Sequence, residues 1–297
     1  WSWDKQMFGS DDQVIEWLKG TRAYRKYRGS LSYDIVRQYG KVLKRAIKLP
    51  RYLGAEYQCP VCSTRLRAFR PVWNSYRRNV EKYAPIHPAS AMETFNLAAF
   101  TCPSCDALDR DRLTAIYLDQ VFHALDHRRT YRLIEFAPGD ALHKKLRRYP
   151  FIAYRSADLS RKTVDERVDL TAMDSYADRS VDILLCSHVL EHIPDDRKAM
   201  REIRRVLKPE GFAVILLPLI IGLDETHEDP SIDTEALRWK YFGAGDHVRQ
   251  YGKRDFIDRL EAAGLKVDQL GIEHFGAETF RRAGIAENSV LYVVHPR

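Results

Sequence analysis

From Tyr131 to the end of the chain, short apolar runs alternate with longer amphipathic stretches, and this alternation constrains the fold more than any other feature. A strand, a crossover helix and another strand in regular succession make a parallel sheet covered on both faces. The expected strands are Tyr131–Phe136, Ile152–Ala157, Val181–Cys186, Phe212–Leu217, Leu265–Ile272 and Ser289–His295, with a short one near Val168–Leu170. Together they predict an α/β domain over residues 127–297, built on a doubly wound, seven-stranded, mostly parallel sheet.

The front of the chain follows other rules. Ile35, Val36, Tyr39, Val42, Leu43, Ala46 and Ile47 recur with helical spacing, while Arg37, Lys41, Lys44, Arg45 and Lys48 fall largely off that stripe and Pro50 ends it. Tyr and Ala in the stripe favour packing against protein over lying on a membrane, so residues 1–58 are read as a basic helical segment. Charge separates the two parts: residues 1–130 carry 22 basic and 13 acidic side chains, residues 131–297 carry 26 and 28, and the whole is +7. The surplus admits a polyanionic partner, an anionic surface, an acidic substrate or a plain solubilising face. A 297-residue chain that is 45% hydrophobic is not a disordered tail. It holds no apolar run approaching the ~20 residues of a spanning helix. No basic-then-apolar signal segment opens the chain, which starts at Trp1, and the expected setting is cytoplasmic.

Between these parts, residues 59–126 hold four of the five cysteines as two copies of one motif, Cys59-Pro60-Val61-Cys62 and Cys102-Pro103-Ser104-Cys105. Two thiolates three residues apart grip a metal ion from one tight turn, and two such turns complete the four-sulfur shell of structural zinc, which leaves no position open for substrate. Disulfides suit secreted chains, and a redox pair belongs at a strand-to-helix junction; neither context is present, which leaves unrelated buried thiols as the competing reading. The intervening stretch exceeds that of compact zinc ribbons, and Ser63 and Asp106 stand where glycine often follows the second cysteine. Cys186, on an apolar strand, reads as a small buried thiol. A helix from about Asp109 to Leu125, burying Leu113, Ile116, Tyr117, Val121 and Phe122, links this segment to the sheet.

The chemistry concentrates at the carboxyl ends of the expected strands, where doubly wound sheets bind nucleotides. The first ends in Glu135 and the small-residue turn Ala137-Pro138-Gly139, which lets a ligand approach the backbone; the second reaches Asp158-Leu159, an acid suited to ribose hydroxyls. Asp169-Leu170 follows, then Val181-Asp182-Ile183-Leu184-Leu185-Cys186-Ser187-His188-Val189-Leu190-Glu191-His192 and Arg204-Arg205-Val206-Leu207-Lys208-Pro209-Glu210-Gly211.

In this order the motifs over residues 131–297 resemble class I S-adenosylmethionine-dependent methyltransferases, which have a Rossmann-like fold. The paired cysteine motifs ahead of them resemble bacterial zinc-ribbon members linked to glycan or natural-product pathways. The resemblance implies that Glu135 and the 137–139 turn lie by the methionine moiety, that Asp158 with Leu159 binds the ribose, that Asp169 and Leu170 face the adenine, and that Ser187 and His188 border the transferring methyl. The turn departs from the family's G-x-G pattern, and Ala137 is expected at negative φ.

Methyl transfer to a sugar or phenol hydroxyl needs a lone pair aligned with the S–methyl bond and a base near neutral pH. His247 is the first candidate base, with Asp246 orienting its ring; His188 is the second, and a pocket-wall role competes with it. His192 is expected to cap or pack. Arg249 is a candidate for an anionic acceptor, and Trp239 and Tyr241 for stacking on it. The acidic run Asp224–Asp229 reads as a solvated loop before a divalent-metal site. The expected function is therefore methyl transfer from S-adenosylmethionine to a small-molecule or saccharide acceptor, with structural zinc. RNA methylation docked by the basic front end, and a non-catalytic S-adenosylmethionine-binding module, are the alternatives.

Overall fold

The computed structural model describes residue 45 and residues 47–297. The helix expected over Ile35–Ile47 lies outside them apart from its last residues, and so does most of the basic front end that the RNA alternative expects to dock substrate. Tyr52–Arg297 is one compact unit, so the cysteine segment and the sheet share their packing.

The unit opens with a hairpin, β1 (Leu53–Gln58) and β2 (Arg65–Leu66), then α1 (Asn74–Tyr83) and α2 (Asp109–Ala124). The sheet domain follows as β3 (Tyr131–Phe136), α3 (Leu142–Leu146), β4 (Ile152–Asp158), β5 (Glu166–Arg167), β6 (Val181–Ser187), α4 (Asp196–Val206) and β7 (Leu207–Leu216). It ends with α5 (Glu235–Phe242), α6 (Lys253–Ala262), β8 (Leu265–Leu270), α7 (Ile272–Phe275), α8 (Ala277–Ala283) and β9 (Leu291–Pro296). The strands form one seven-stranded sheet in the order β5-β4-β3-β6-β7-β9-β8. All pairings are parallel except those of β9, which runs antiparallel to β7 and β8. From β3 the chain winds outward to β5, then returns past β3 to β6 and β7. A crevice therefore opens between the carboxyl ends of β3 and β6, the switch point at which such sheets bind ligands.

The central strands earn their position through apolar side chains on both faces: Leu133, Ile134, Leu184, Leu185 and Cys186 are buried. Over them lies α4, whose Ala199, Met200, Ile203 and Val206 are fully buried while Asp195 caps its start by accepting from the Lys198 amide at 2.9 Å. β7 begins at Leu207 and not at Phe212, because Leu207 already pairs with Val181; Lys208–Gly211 bulge out before Phe212 pairs with Ile183, and Lys208 Nζ lies 2.8 Å from both Asp182 carboxylate oxygens. The short strand sits at Glu166–Arg167, ahead of the expected Val168–Leu170, since Ala157 and Asp158 pair there.

The buried face of α2 departs from the expectation. Leu113 and Phe122 are buried, but Ile116, Tyr117 and Val121 are only partly so, and Arg112 is completely enclosed. Arg112 is accommodated because its guanidinium donates to five carbonyls: Ala283, Phe100, Ala107 and Gly284 at 2.7–3.2 Å, and Ala99. It also lies 3.9 Å over the Phe69 ring. These contacts join the cysteine segment, α2 and the end of α8. Gly284 is required there, for its φ is +63° and a Cβ would stand 2.5 Å from Phe69. Among the described residues no helix is long and apolar enough to cross a membrane.

Candidate active site and cysteine centre

The two cysteine motifs fold into the same turn. Cys59 N–H donates to Thr64 and Ser63 N–H to the Cys59 carbonyl; Cys102 N–H donates to Ala107 and Asp106 N–H to the Cys102 carbonyl, all at 2.8–3.0 Å. Ser63 and Asp106, which replace the usual glycine, adopt φ of 60° and 66°. The loops meet through Thr64 Oγ1, which donates to Ser104 Oγ at 3.0 Å. Cys59 and Cys105 sulfurs lie 3.8 Å apart, as do those of Cys62 and Cys102, and all four lie within 4.8 Å of one another. A disulfide requires about 2.05 Å, whereas metal–sulfur bonds of ~2.3 Å put tetrahedral sulfurs about 3.8 Å apart. The donor set fits zinc. Burial pushes the Arg112 guanidinium down, while Asp109, Cys59 and Cys102 oppose that and favour its charge.

At the sheet crevice, a cavity of about 80 Å³ is lined by Glu135, Ala137, Gly139 and Ser187, four of the expected cofactor residues. Glu135 is buried and accepts a 2.5 Å hydrogen bond from the Tyr154 hydroxyl. Burial raises its pKa to about 8, against the pull of Tyr154. Ala137 has φ +48°, not the negative value expected. The turn is pinned instead: Ala137 N–H donates to the Ala157 carbonyl at 2.9 Å and Arg161 Nη1 to the Pro138 carbonyl at 2.7 Å. Ser187 Oγ is buried without a hydrogen-bond partner, as a side chain awaiting a polar ligand would be. Farther along, Asp158 Oδ1 accepts from the Ser160 and Arg161 amides and Asp169 Oδ1 from Thr171; Leu170 is buried, whereas Leu159 is 65% exposed.

The other wall of this cavity is the first turn of α2, with Leu108, Arg110, Asp111 and Thr114. Sequence reasoning treated α2 as a linker and missed them; the paired acids Asp109 and Asp111 at its start were the available signal. Asp109 caps the preceding loop through the Asn96 amide, and Asp111 faces Glu135 closely enough to raise its pKa. A larger depression of about 530 Å³ lies at the opposite, amino end of the strands, around Thr130, Arg132, Asp182 and Lys208. Parallel sheets do not bind their cofactors at that end.

One residue beyond Ser187 begins a cluster. His188 sits at φ +54°, with its Nδ1 3.3 Å from Glu191 Oε1. Burial lowers its pKa to about 4, helped by Arg110 and opposed by Glu191. Glu191 is fully buried; although burial works against ionisation, His188, His247 and His192 hold its pKa at about 2. His247 Nδ1 is 3.0 Å from the Phe242 carbonyl and its Nε2 is 4.0 Å from Glu191 Oε1, and burial lowers its pKa. The structure thus joins His188, His192 and His247, which lie up to 59 residues apart in the chain, around one carboxylate.

Other expected residues go elsewhere. Asp246 contacts His192, its carboxylate 3.6 Å from Nδ1, and its side chain is 78% exposed, so the His247 ring is oriented by the Phe242 carbonyl instead. Arg249 is 4% exposed and spends its donors on Glu228 and on the carbonyls of Leu190, Ile193 and Pro194; it braces the loop and has no free edge for an anionic acceptor. Trp239 is buried and stacks on Tyr83 with centroids 5.6 Å apart, while Tyr241 meets His227 edge-on. In the acidic run, Glu228 pairs with Arg249 and Arg259, and Glu225 with Arg254. Its carboxylates do not converge.

Parts of this chain are similar to known proteins. An uncharacterized methyltransferase of Mycobacterium sp. (strain KMS) is 42% identical over 53 residues, 18% of this chain and 21% of that protein. The uncharacterized protein YafE of Escherichia coli (strain K12) is 31% identical over 96 residues, 32% of this chain and 43% of its own. The matched stretches thus span between a fifth and a half of those relatives. Among solved structures, the YcgJ protein of Bacillus subtilis shares 19% identity over 61% of this chain and 97% of its own, with a TM-score of 0.39. A methyltransferase of Mesorhizobium loti shares 15% over 61% and 98%, also at 0.39. The sequence profile of the methyltransferase domain matches residues 73–270, two-thirds of the chain and the whole of the crevice described above; the chain belongs to the methyltransferase domain family.

Proposed function

We propose that this chain transfers a methyl group from S-adenosylmethionine to a hydroxyl oxygen of a small-molecule or saccharide acceptor, with a histidine as general base and zinc in the cysteine centre. The observation that carries the reading is the adjacency of an unpartnered Ser187 Oγ, lining the crevice cavity, to the histidine and glutamate cluster that starts at His188. When bound, S-adenosylmethionine supplies an electrophilic methyl on a sulfonium.

Glu135 and the pinned 137–139 turn hold the amino-acid end of the cofactor, where a cationic ligand favours ionisation of Glu135. Asp158 keeps Oδ1 on its own loop, and its Oδ2, 3.8 Å from Arg161 Nε, is the atom left for the ribose; Asp169 and Leu170 flank the adenine. His188 takes the proton, since Glu191 beside its Nδ1 leaves Nε2 as the accepting atom. His247 comes second as base, because its Nε2 is turned on Glu191. Zinc in the closed shell of four thiolates has no free position, so its role is structural.

Calorimetric titration with S-adenosylmethionine, followed by mass spectrometry of saccharide, phenolic and RNA acceptors, tests this. The expected result is saturable binding and a product one methyl heavier in an alkali-stable ether. Absence of binding would sink the whole reading. Binding without transfer to any acceptor would leave only the non-catalytic module, and methylated RNA with steeply salt-dependent affinity would replace the small acceptor with nucleic acid.

A further inference from the structure

Glu191 is 0% exposed; its one close donor is His188 Nδ1, 3.3 Å from Oε1, and neither carboxylate oxygen makes a hydrogen bond of good geometry. A buried carboxylate normally collects donors, and one without them needs an explanation. Its neighbours supply few. His247 donates Nδ1–H to the Phe242 carbonyl, 3.0 Å away, which leaves an imidazole lone pair on the Nε2 that faces Glu191. His192 is tied in the same way, its Nδ1 3.2 Å from the Asp246 carbonyl. The two rings meet edge-on at 4.8 Å. One ligand atom from each of Glu191, His192 and His247 lies within 4.8 Å of the others. A carboxylate and imidazole lone pairs, all acceptors, gathered round one point are satisfied together by a cation. Histidines anchored through Nδ1–H on backbone carbonyls are also the usual supporting arrangement of metal-ligating imidazoles.

We propose that Glu191, His192 and His247 bind a divalent transition-metal ion, and that its open positions take the acceptor through two adjacent oxygens, as in a vicinal diol or a catechol. The nitrogen-rich donor set selects zinc, cobalt, iron or manganese over magnesium and calcium, which prefer oxygen shells. Three protein ligands leave positions free, unlike the four-thiolate centre. The ion draws the three groups together, since bonds of ~2.1 Å imply ligand separations of about 3.0–3.4 Å. The acceptor class rests on the proposed methyl transfer: the hydroxyl O–H breaks with its proton passing to His188, and the O–methyl bond forms as the S–methyl bond breaks, leaving a neutral thioether.

The test separates the ion from the transfer. Full-length protein carrying zinc at the cysteines is freed of weakly held metal with a mild chelator and titrated with Co²⁺, read by absorption and by metal analysis. The expected result is one equivalent of cobalt without thiolate-to-metal charge-transfer bands, lost in Glu191→Gln and in His247→Ala while the cysteine-bound zinc stays. No uptake by the wild-type protein, or full uptake by both variants, overturns the metal site, whatever the outcome of any activity assay. Metal-dependent methylation of a vicinal diol and not of its mono-hydroxyl analogue supports the acceptor class. Equal, metal-independent methylation of both overturns that class while leaving methyl transfer itself standing.

Discussion

The cysteine centre and the Glu191 cluster are both gatherings of metal-ligand residues, and they are built in opposite ways. In the first, four identical soft ligands come from two local turns and sit with sulfur separations of 3.8 Å, closed on all sides. In the second, one carboxylate and two imidazoles sit within 4.8 Å beside the crevice that opens at Ser187, with His188 at its edge. A saturated shell can only hold structure, whereas an incomplete one next to a cavity can act on a ligand. Changes at the first should therefore register in folding, and changes at the crevice in binding and pH response.

The largest effect belongs to the closed centre. Cys59→Ser should release zinc and destabilise the unit by several kcal/mol, since zinc affinity is folding energy for such turns. Thermal unfolding with metal analysis reads it, and full zinc retention would erase the contrast. Arg112→Ala comes next. It leaves five carbonyls without their donor and Asp109 without a buried cation, a change that costs about 3–5 kcal/mol. Denaturant unfolding would show it, and a loss below ~1 kcal/mol would mean that the cysteine segment and the sheet are only loosely coupled.

At the crevice, Glu135→Gln should weaken S-adenosylmethionine binding about 10- to 100-fold, the weight of a charge-assisted hydrogen bond. It should also change the pH response of the ligand-free protein. Because the pKa of Glu135 is raised from 4.5 to about 8, its contribution to stability is complete below pH 4.5 and is lost as pH rises through 8. The Gln variant lacks that loss, so its melting temperature should fall less than the wild type's between pH 5 and 9. Parallel melting curves would place the ionising group elsewhere. The smallest effect is Ala137→Gly, which relieves a side chain at φ +48°. A gain of up to about 1 kcal/mol is expected, reduced by the greater freedom of glycine in the unfolded chain; a clear loss would show that the Ala157 and Pro138 contacts tolerate alanine without strain.

Periodicity and spacing alone determined a good deal. Runs such as Leu133-Ile134-Glu135-Phe136 and Ile183-Leu184-Leu185-Cys186, short, bounded by turn residues and alternating with helical stretches, fit strands of a sheet buried on both faces, and the paired CPxC motifs bring their own local turn geometry, so both were legible from neighbouring residues. The crevice was half legible: Glu135 and Ser187 lie at the ends of strands and Gly139 in the turn after one, but Arg110 and Asp111 reach it because α2 folds back over the sheet, a placement that the paired acids at its start do not by themselves give. The roles of Arg249, Asp246 and Arg112 were decided by tertiary structure. Whether a charged side chain faces a ligand or braces a loop depends on which carbonyls and carboxylates surround it, and for Arg249 those come from Leu190, Ile193, Pro194 and Glu228. Likewise, Glu191 and His247 are separated by 56 residues in the chain, and only the folded sheet brings a buried carboxylate and an imidazole lone pair to the same point.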